Sequence, residues 1–287
     1  MKYTINDFNA KYPDDEACLH ELYLQKYGSL TECPKCEEAA KFYKVQDRKC
    51  YSCQWCGHQL HPLSGTIFHK SPTQLRLWFY TIFLFSNAKN GVSAKELQRT
   101  IGVTYKCAWR MAQQVRDLFS QVDREQLNGT VEADETYVGG KRRGKRGRGA
   151  EGKTPVFGMA QREGGVRARV TVDTKRKTVA PILRENVAIG STVYTDEYSV
   201  YNKIGEDGYD HGRVNHSAKQ WVNGQAHTNT IEGFWSQLKR SIDGTYHNLS
   251  TKHLQKYVDE FCWRYNNRKS LTPIFPLMIS RILQQSL

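Results

Sequence analysis

Thr130-Val131-Glu132-Ala133-Asp134-Glu135-Thr136-Tyr137-Val138-Gly139-Gly140 is the stretch at which this chain of 287 residues changes character. From Thr130 to Val138 the residues alternate as in a strand. That alternation puts Glu132 and Asp134 on one face and Glu135 on the other. Downstream, 155–160, 167–172 and 191–195 read as further strands, with a short helix at 180–186 between the last two. Segments 229–242 and 251–268 read as strong helices. Strands followed by helices indicate an α/β or α+β catalytic domain, expected over residues 128–287.

Upstream the periodicity is helical. Residues 8–28 read as a helix, with Pro13 followed by Asp14, Asp15 and Glu16 as its start signal. Cys18, Leu19, Leu22 and Tyr23 form its apolar stripe. A second helix is expected over 73–87. Ser93 followed by Glu96 predicts a capping box, Gly102 a break, and Thr104 the start of a helix running to about Phe119. This is the pattern of a helix-turn-helix. The expected divisions are 1–70 for an N-terminal helix and cysteine-rich ribbon, and 71–125 for the helix-turn-helix region.

Five of the eight cysteines fall between Cys33 and Cys56. Cys33-Pro34-Lys35-Cys36 and Cys53-Gln54-Trp55-Cys56 are two C-x-x-C knuckles separated by residues 37–52. That gap suits a closed four-thiolate structural site for one zinc ion. Cys50 makes an overlapping C-x-x-C with Cys53, but Cys53 and Cys56 are preferred because Gly57 follows them as a turn. His58 and His61 are weaker candidates.

The formal net charge is +13 and the pI about 9.3. Residues 1–130 contribute +4 and residues 131–287 contribute +9. A basic protein favours polyanions, because each phosphate contact releases counterions. Lys141, Arg142, Arg143, Lys145, Arg146 and Arg148 form a Gly-rich loop without an acid directly after the first strand, and DNA contact is expected there. No apolar run reaches the ~18–20 residues that span a bilayer. The first residues lack an apolar h-region, so a cytoplasmic, DNA-associated protein without a membrane partner is expected.

Three acids stand out. Asp134 lies in the first strand, Asp196 ends the apolar strand Val193-Tyr194-Thr195, and Glu232 lies near a helix start. Such carboxylates can converge on divalent cations, magnesium above all. Each has a blander reading: the aspartates as strand-end turn residues, Glu232 as the N3 member of a capping box on Asn229. Lys239 follows Glu232 by seven residues on nearly the same helix face, where it could hold a phosphate. Arg240 is the weaker neighbour.

Thirty-five residues separate Asp196 from Glu232. With Lys239 this spacing resembles the Asp-Asp-Glu arrangement of insertion-sequence transposases and retroviral-type integrases. More narrowly, the chain resembles bacterial insertion-sequence transposases with an N-terminal zinc ribbon. The matching stretches are Cys33-Pro34-Lys35-Cys36, Ser64-Gly65-Thr66-Ile67-Phe68, Asp134 to Gly140, Asn229-Thr230-Ile231-Glu232-Gly233-Phe234-Trp235, Leu238-Lys239-Arg240, Gly244-Thr245-Tyr246-His247 and Arg264-Tyr265-Asn266-Asn267-Arg268. The resemblance implies a ribonuclease-H-like mixed sheet with flanking helices and a triad of Asp134, Asp196 and Glu232. It also implies magnesium or manganese, two ions expected, and a homo-oligomer acting on double-stranded DNA at terminal inverted repeats and target. The chemistry expected is release of a 3′-hydroxyl at the element end, then its in-line attack on target DNA. The alternatives are a nuclease of the same fold that cuts without joining, and a non-enzymatic zinc-ribbon regulator.

Overall fold

A computed structural model describes residues 3–120, 125–139, 152–214, 227–247 and 249–284. The chain divides into two units, Met1–Leu118 with Ser270–Leu287, and Phe119–Lys269.

The first unit opens with α1 (Ile5–Lys11) and α2 (Asp15–Tyr27). The single helix expected over 8–28 is broken at Pro13. The residue before a proline avoids the helical region, and Asp14 caps the new helix by accepting from the Ala17 N–H at 2.8 Å. A three-stranded antiparallel ribbon follows: β1 (Phe42–Lys44), β2 (Tyr51–Cys53) and β3 (Gln59–Leu60). Next come α3 (Leu75–Asn87), α4 (Ala94–Ile101) and α5 (Tyr105–Asp117). Helix α3 has no cap of its own. Asp15 of α2 supplies one, accepting from Leu75 N at 3.0 Å and Arg76 N at 2.8 Å. Between α4 and α5, Gly102 takes the left-handed conformation (φ 70°) that ends the first helix of the pair. Ser93 accepts from Glu96 N, and Thr104 from Cys107 N, so each helix starts where its cap residue predicts.

The second unit holds a five-stranded sheet: β4 (Thr130–Val138), β5 (Thr154–Gln161), β6 (Val166–Val170), β7 (Thr192–Thr195) and β8 (Asp210–Arg213). The order is β6-β5-β4-β7-β8. β4, β5 and β6 form an antiparallel meander, and β7 and β8 continue parallel to β4. This is a ribonuclease-H-like mixed sheet. Helix α6 (Arg176–Asn186) covers one face, burying Val179, Ile182 and Leu183 against Val131, Ala133, Phe157 and Met159. Helices α7 (Asn229–Ser241) and α8 (Thr251–Asn266) cover the other, burying Ile231, Phe234, Trp235 and Val258 against Val138, Val156 and Ala160. Alternate residues of each central strand thus feed opposite cores.

The outer edge of β6 is closed by side chains rather than by another strand. The Asn266 amide accepts from Val166 N and donates to Val166 O. The Gln255 amide accepts from Val170 N and donates to Ala168 O. Backbone groups that would otherwise template further pairing are therefore occupied by α8.

The last helix, α9 (Ile274–Gln284), belongs with the first unit and not with the sheet. Phe275 stacks on Tyr3 at 4.9 Å and meets Phe8, Tyr12 and Phe83 edge-on. Helix α9 thus sets Phe275 into the aromatic core of the first unit.

Candidate active site

The register of the two central parallel strands sets the first two acids side by side. Glu132 is paired with Tyr194. Two residues further along each strand stand Asp134 and Asp196, on neighbours roughly 4.8 Å apart. Asp196 leaves the sheet directly after β7 and accepts from the Tyr198 N–H at 3.0 Å, a local turn that fixes its carboxylate. Beneath it, Thr195 is fully buried. Thr195 Oγ1 donates to the Asp196 carbonyl and lies 2.9 Å from His211 Nε2 on β8. A hydroxyl has one proton, so the imidazole must be the donor in that second bond. Burial pushes the His211 pKa down to about 4, which keeps the ring neutral.

Burial, followed by the charges of Glu135 and Asp196 and, more weakly, of Glu232, lifts the Asp134 pKa to about 7. Asp134, Asp196 and Glu232 therefore share one electrostatic neighbourhood. Glu135 is close but faces the other core, where its carboxylate accepts from Tyr201 Oη at 2.6 Å.

Glu232 sits in the first turn of α7 and is exposed. Its carboxylate accepts from Thr228 Oγ1 at 2.8 Å. The N-cap position belongs to Thr228, so Glu232 is one residue too late for the N3 role of a capping box on Asn229. The helix start is capped instead from the sheet. Glu132, with no exposed surface, accepts from Thr230 N at 2.7 Å, Ile231 N at 3.1 Å and Thr230 Oγ1 at 2.9 Å. Arg162 Nε reaches the same carboxylate at 2.9 Å, and His227 Nδ1 lies 3.2 Å from it. A buried anion at a helix N-terminus satisfies orphan N–H groups and complements the helix dipole. Glu132 thereby docks α7 on β4, two residues from Asp134. Its trace in the sequence is a carboxylate at a position whose alternation points inward.

Helix α7 carries Glu232, Trp235 and Lys239 at i, i+3 and i+7, on one face. Trp235 Nε1 donates to Asp134 Oδ2 at 3.1 Å. Partial burial lowers the Lys239 pKa, and the negative charge of Asp134 acts on it in the opposite sense. Arg240 turns back on its own helix and donates to the Ser236 carbonyl. The basic residues Lys141, Arg142, Arg143, Lys145, Arg146 and Arg148 lie outside the described residues.

In the N-terminal unit, Cys33, Cys36, Cys53 and Cys56 bring their sulfurs within 4.8 Å of one another, a cluster that could hold one metal ion. Among the described residues no other group of three or more His, Cys, Asp or Glu is drawn so tightly, and the three acids converge less closely than the thiols. Cys33 Sγ lies 3.6 Å from Cys56 Sγ, and Cys36 Sγ lies 3.9 Å from Cys53 Sγ. Four thiolates about 2.3 Å from one zinc would stand about 3.8 Å apart. Cys50 is buried outside the group, and half-buried His58 and exposed His61 also lie outside it.

The ISXO2-like transposase domain matches residues 126–266. An "Uncharacterized protein in transposable element ISH50" of Halobacterium salinarum is 31% identical over 253 residues, covering 80% of this chain and 83% of that protein. An "Uncharacterized transposase-like protein" of Haemophilus influenzae is 32% identical over 98 residues, 34% of this chain and 78% of its own length. Among solved structures, a pre-cleavage Mos1 transpososome matches 73% of this chain and 79% of its own at 10% identity, with a TM-score of 0.28. So loose a likeness adds nothing to the strand order already described. Residues 126–266 carry an ISXO2-like transposase domain, and the chain belongs to the insertion-sequence transposases.

Proposed function

We propose that this protein cleaves phosphodiester bonds at the ends of its element and transfers the freed 3′-hydroxyl ends to target DNA. The observation that carries this reading is the shared neighbourhood of Asp134, Asp196 and Glu232, in which Asp134 is lifted to about 7 chiefly by burial and by acidic neighbours. A group of carboxylates with surplus negative charge and oxygen ligand atoms suits magnesium or manganese. Two such ions, held by these three carboxylates, would supply Lewis-acid assistance to the attacking and leaving oxygens.

The chain's own part is positioning. Strand register sets Asp134 beside Asp196, Glu132 docks the helix that brings Glu232, and Lys239 offers a cation to a phosphate held next to the acids. Water attacks the phosphate at the element end and releases a 3′-hydroxyl. That hydroxyl then attacks a target phosphate in line, forming the new P–O bond as the target's own P–O3′ bond breaks and its 3′-hydroxyl leaves, with no covalent protein intermediate. The basic residues of 141–148 follow β4 and are proposed to track the DNA backbone; α4 and α5 are proposed to read the element end. Two ends must meet one target, so a homo-oligomer is expected.

The test is incubation of labelled element-end DNA with purified protein and magnesium or manganese. Nicked ends with 3′-hydroxyls, followed by joined products, are expected. Cleavage with no joined product under any target condition would favour the nuclease reading.

The four-cysteine cluster is proposed to hold one structural zinc. Sulfur–sulfur separations close to a tetrahedral edge support this. Elemental analysis of purified protein should find one zinc per chain. Cys33→Ser should lose it and loosen the first unit while the sheet of the second stays folded. Cys50→Ser should keep the zinc. Wild-type protein free of zinc would overturn the assignment.

A further inference from the structure

We propose that Trp235 is a positioning residue for Asp134, its indole N–H fixing the carboxylate for a divalent cation, and that Gly158 exists to let the ring lie there. The inference rests on the reading of Asp134 as a metal ligand.

Three observations meet at this point. Gly158 is the residue of β5 paired directly with Asp134. A Cβ at 158 would stand 2.5 Å from two carbons of the Trp235 ring and 3.1 Å from Ile231 Cδ1. No side chain fits without moving that ring. The indole spans the missing side chain and delivers Nε1 to Asp134 Oδ2 at 3.1 Å. Trp235 is 4% exposed, so the bond is shielded from water.

The chemistry of the donor suits the task. An indole N–H donates only. It cannot become a ligand, and it cannot exchange roles when a cation arrives. The indole N–H is thus a fixed, neutral donor that holds the carboxylate in one orientation. Hydrogen bonds of this kind typically change metal affinity by about 10–100-fold when removed. Because Trp235 stands one turn after Glu232, the same contact couples the spacing of the two acids to the seating of α7 on β5.

The experiment measures manganese affinity on zinc-loaded, full-length protein, by the electron paramagnetic resonance signal of free Mn2+, beside thermal unfolding. Trp235→Phe keeps a ring over Gly158 and deletes the donor. Gly158→Ala keeps the donor and displaces the ring. Both should weaken Mn2+ binding by about tenfold or more. Phe234→Leu is the packing control. It loosens the same core, where Phe234 is 1% exposed, but leaves the indole in place. It should lower the unfolding temperature and leave Mn2+ affinity near the wild-type value. Trp235→Phe binding Mn2+ like wild type would overturn the proposal, as would Phe234→Leu losing affinity as heavily as Trp235→Phe. Asp134→Asn separates the two levels. If it binds Mn2+ as well as wild type, the metal reading of the acids itself fails, whatever Trp235 does.

Discussion

Asp134→Asn, Asp196→Asn and Glu232→Gln should each slow end cleavage and joining by about a thousandfold or more, the equivalent of roughly 4 kcal/mol of transition-state stabilisation. Each amide keeps the shape and one carbonyl oxygen of the acid. What it loses is the charge that offsets a divalent cation. In Asp134→Asn the amide oxygen can still accept from Trp235, so a collapse of activity there reports charge and not packing. DNA binding, carried by lysine and arginine, should hold or strengthen as a repulsive carboxylate disappears. The same holds for stability without added divalent ion, because Asp134 is a carboxylate that its surroundings resist ionising. Glu232→Gln is the most discriminating variant. Glu132 already caps the start of α7, and a glutamine at 232 can still accept from Thr228 Oγ1, so neither duty accounts for a large loss. Activity near wild type in Glu232→Gln would remove it from the triad. Activity surviving in both aspartate variants would sink the assignment altogether.

Glu132→Ala should be the most destabilising single change near the site. It would leave the helix N–H groups of Thr230 and Ile231 without their acceptor and deprive Arg162 of its ion pair. Removing one partner of a buried ion pair costs about 3–5 kcal/mol. For a unit of this size that corresponds to a fall in melting temperature on the order of 10 °C. Glu132→Gln keeps an acceptor for the N–H groups and should fall between alanine and wild type. Calorimetry or circular dichroism melts give the ordering. Cleavage should follow it, because α7 carries Glu232 and is anchored to β4 through this carboxylate. A Glu132→Ala protein melting within a degree of wild type would show that solvent or a shifted side chain replaces the anchor.

The physical signals that were legible in the sequence are local ones. Cap residues marked the starts of α4 and α5, because a side-chain oxygen and a nearby N–H need only three residues of chain to meet. Cysteine spacing marked the cluster, because each knuckle is a single turn. Alternation marked β4 and assigned Glu132 and Asp134 to one face. Where local chemistry was silent, tertiary structure decided. Asp210-His211-Gly212-Arg213 has no apolar alternation, and it is a strand only because β7 offers it a parallel edge. Asp15 caps a helix sixty residues away. Residues 274–284 are apolar enough for either unit, and the ring of Phe275 found its partners among Tyr3, Phe8 and Tyr12. At the site, the sequence could name Asp134, Asp196 and Glu232 but not the residues that aim them. The contacts of Glu132 with Thr230 and of Trp235 with Asp134 join positions about a hundred residues apart. No periodicity carries such a distance; strand register and the missing side chain of Gly158 do.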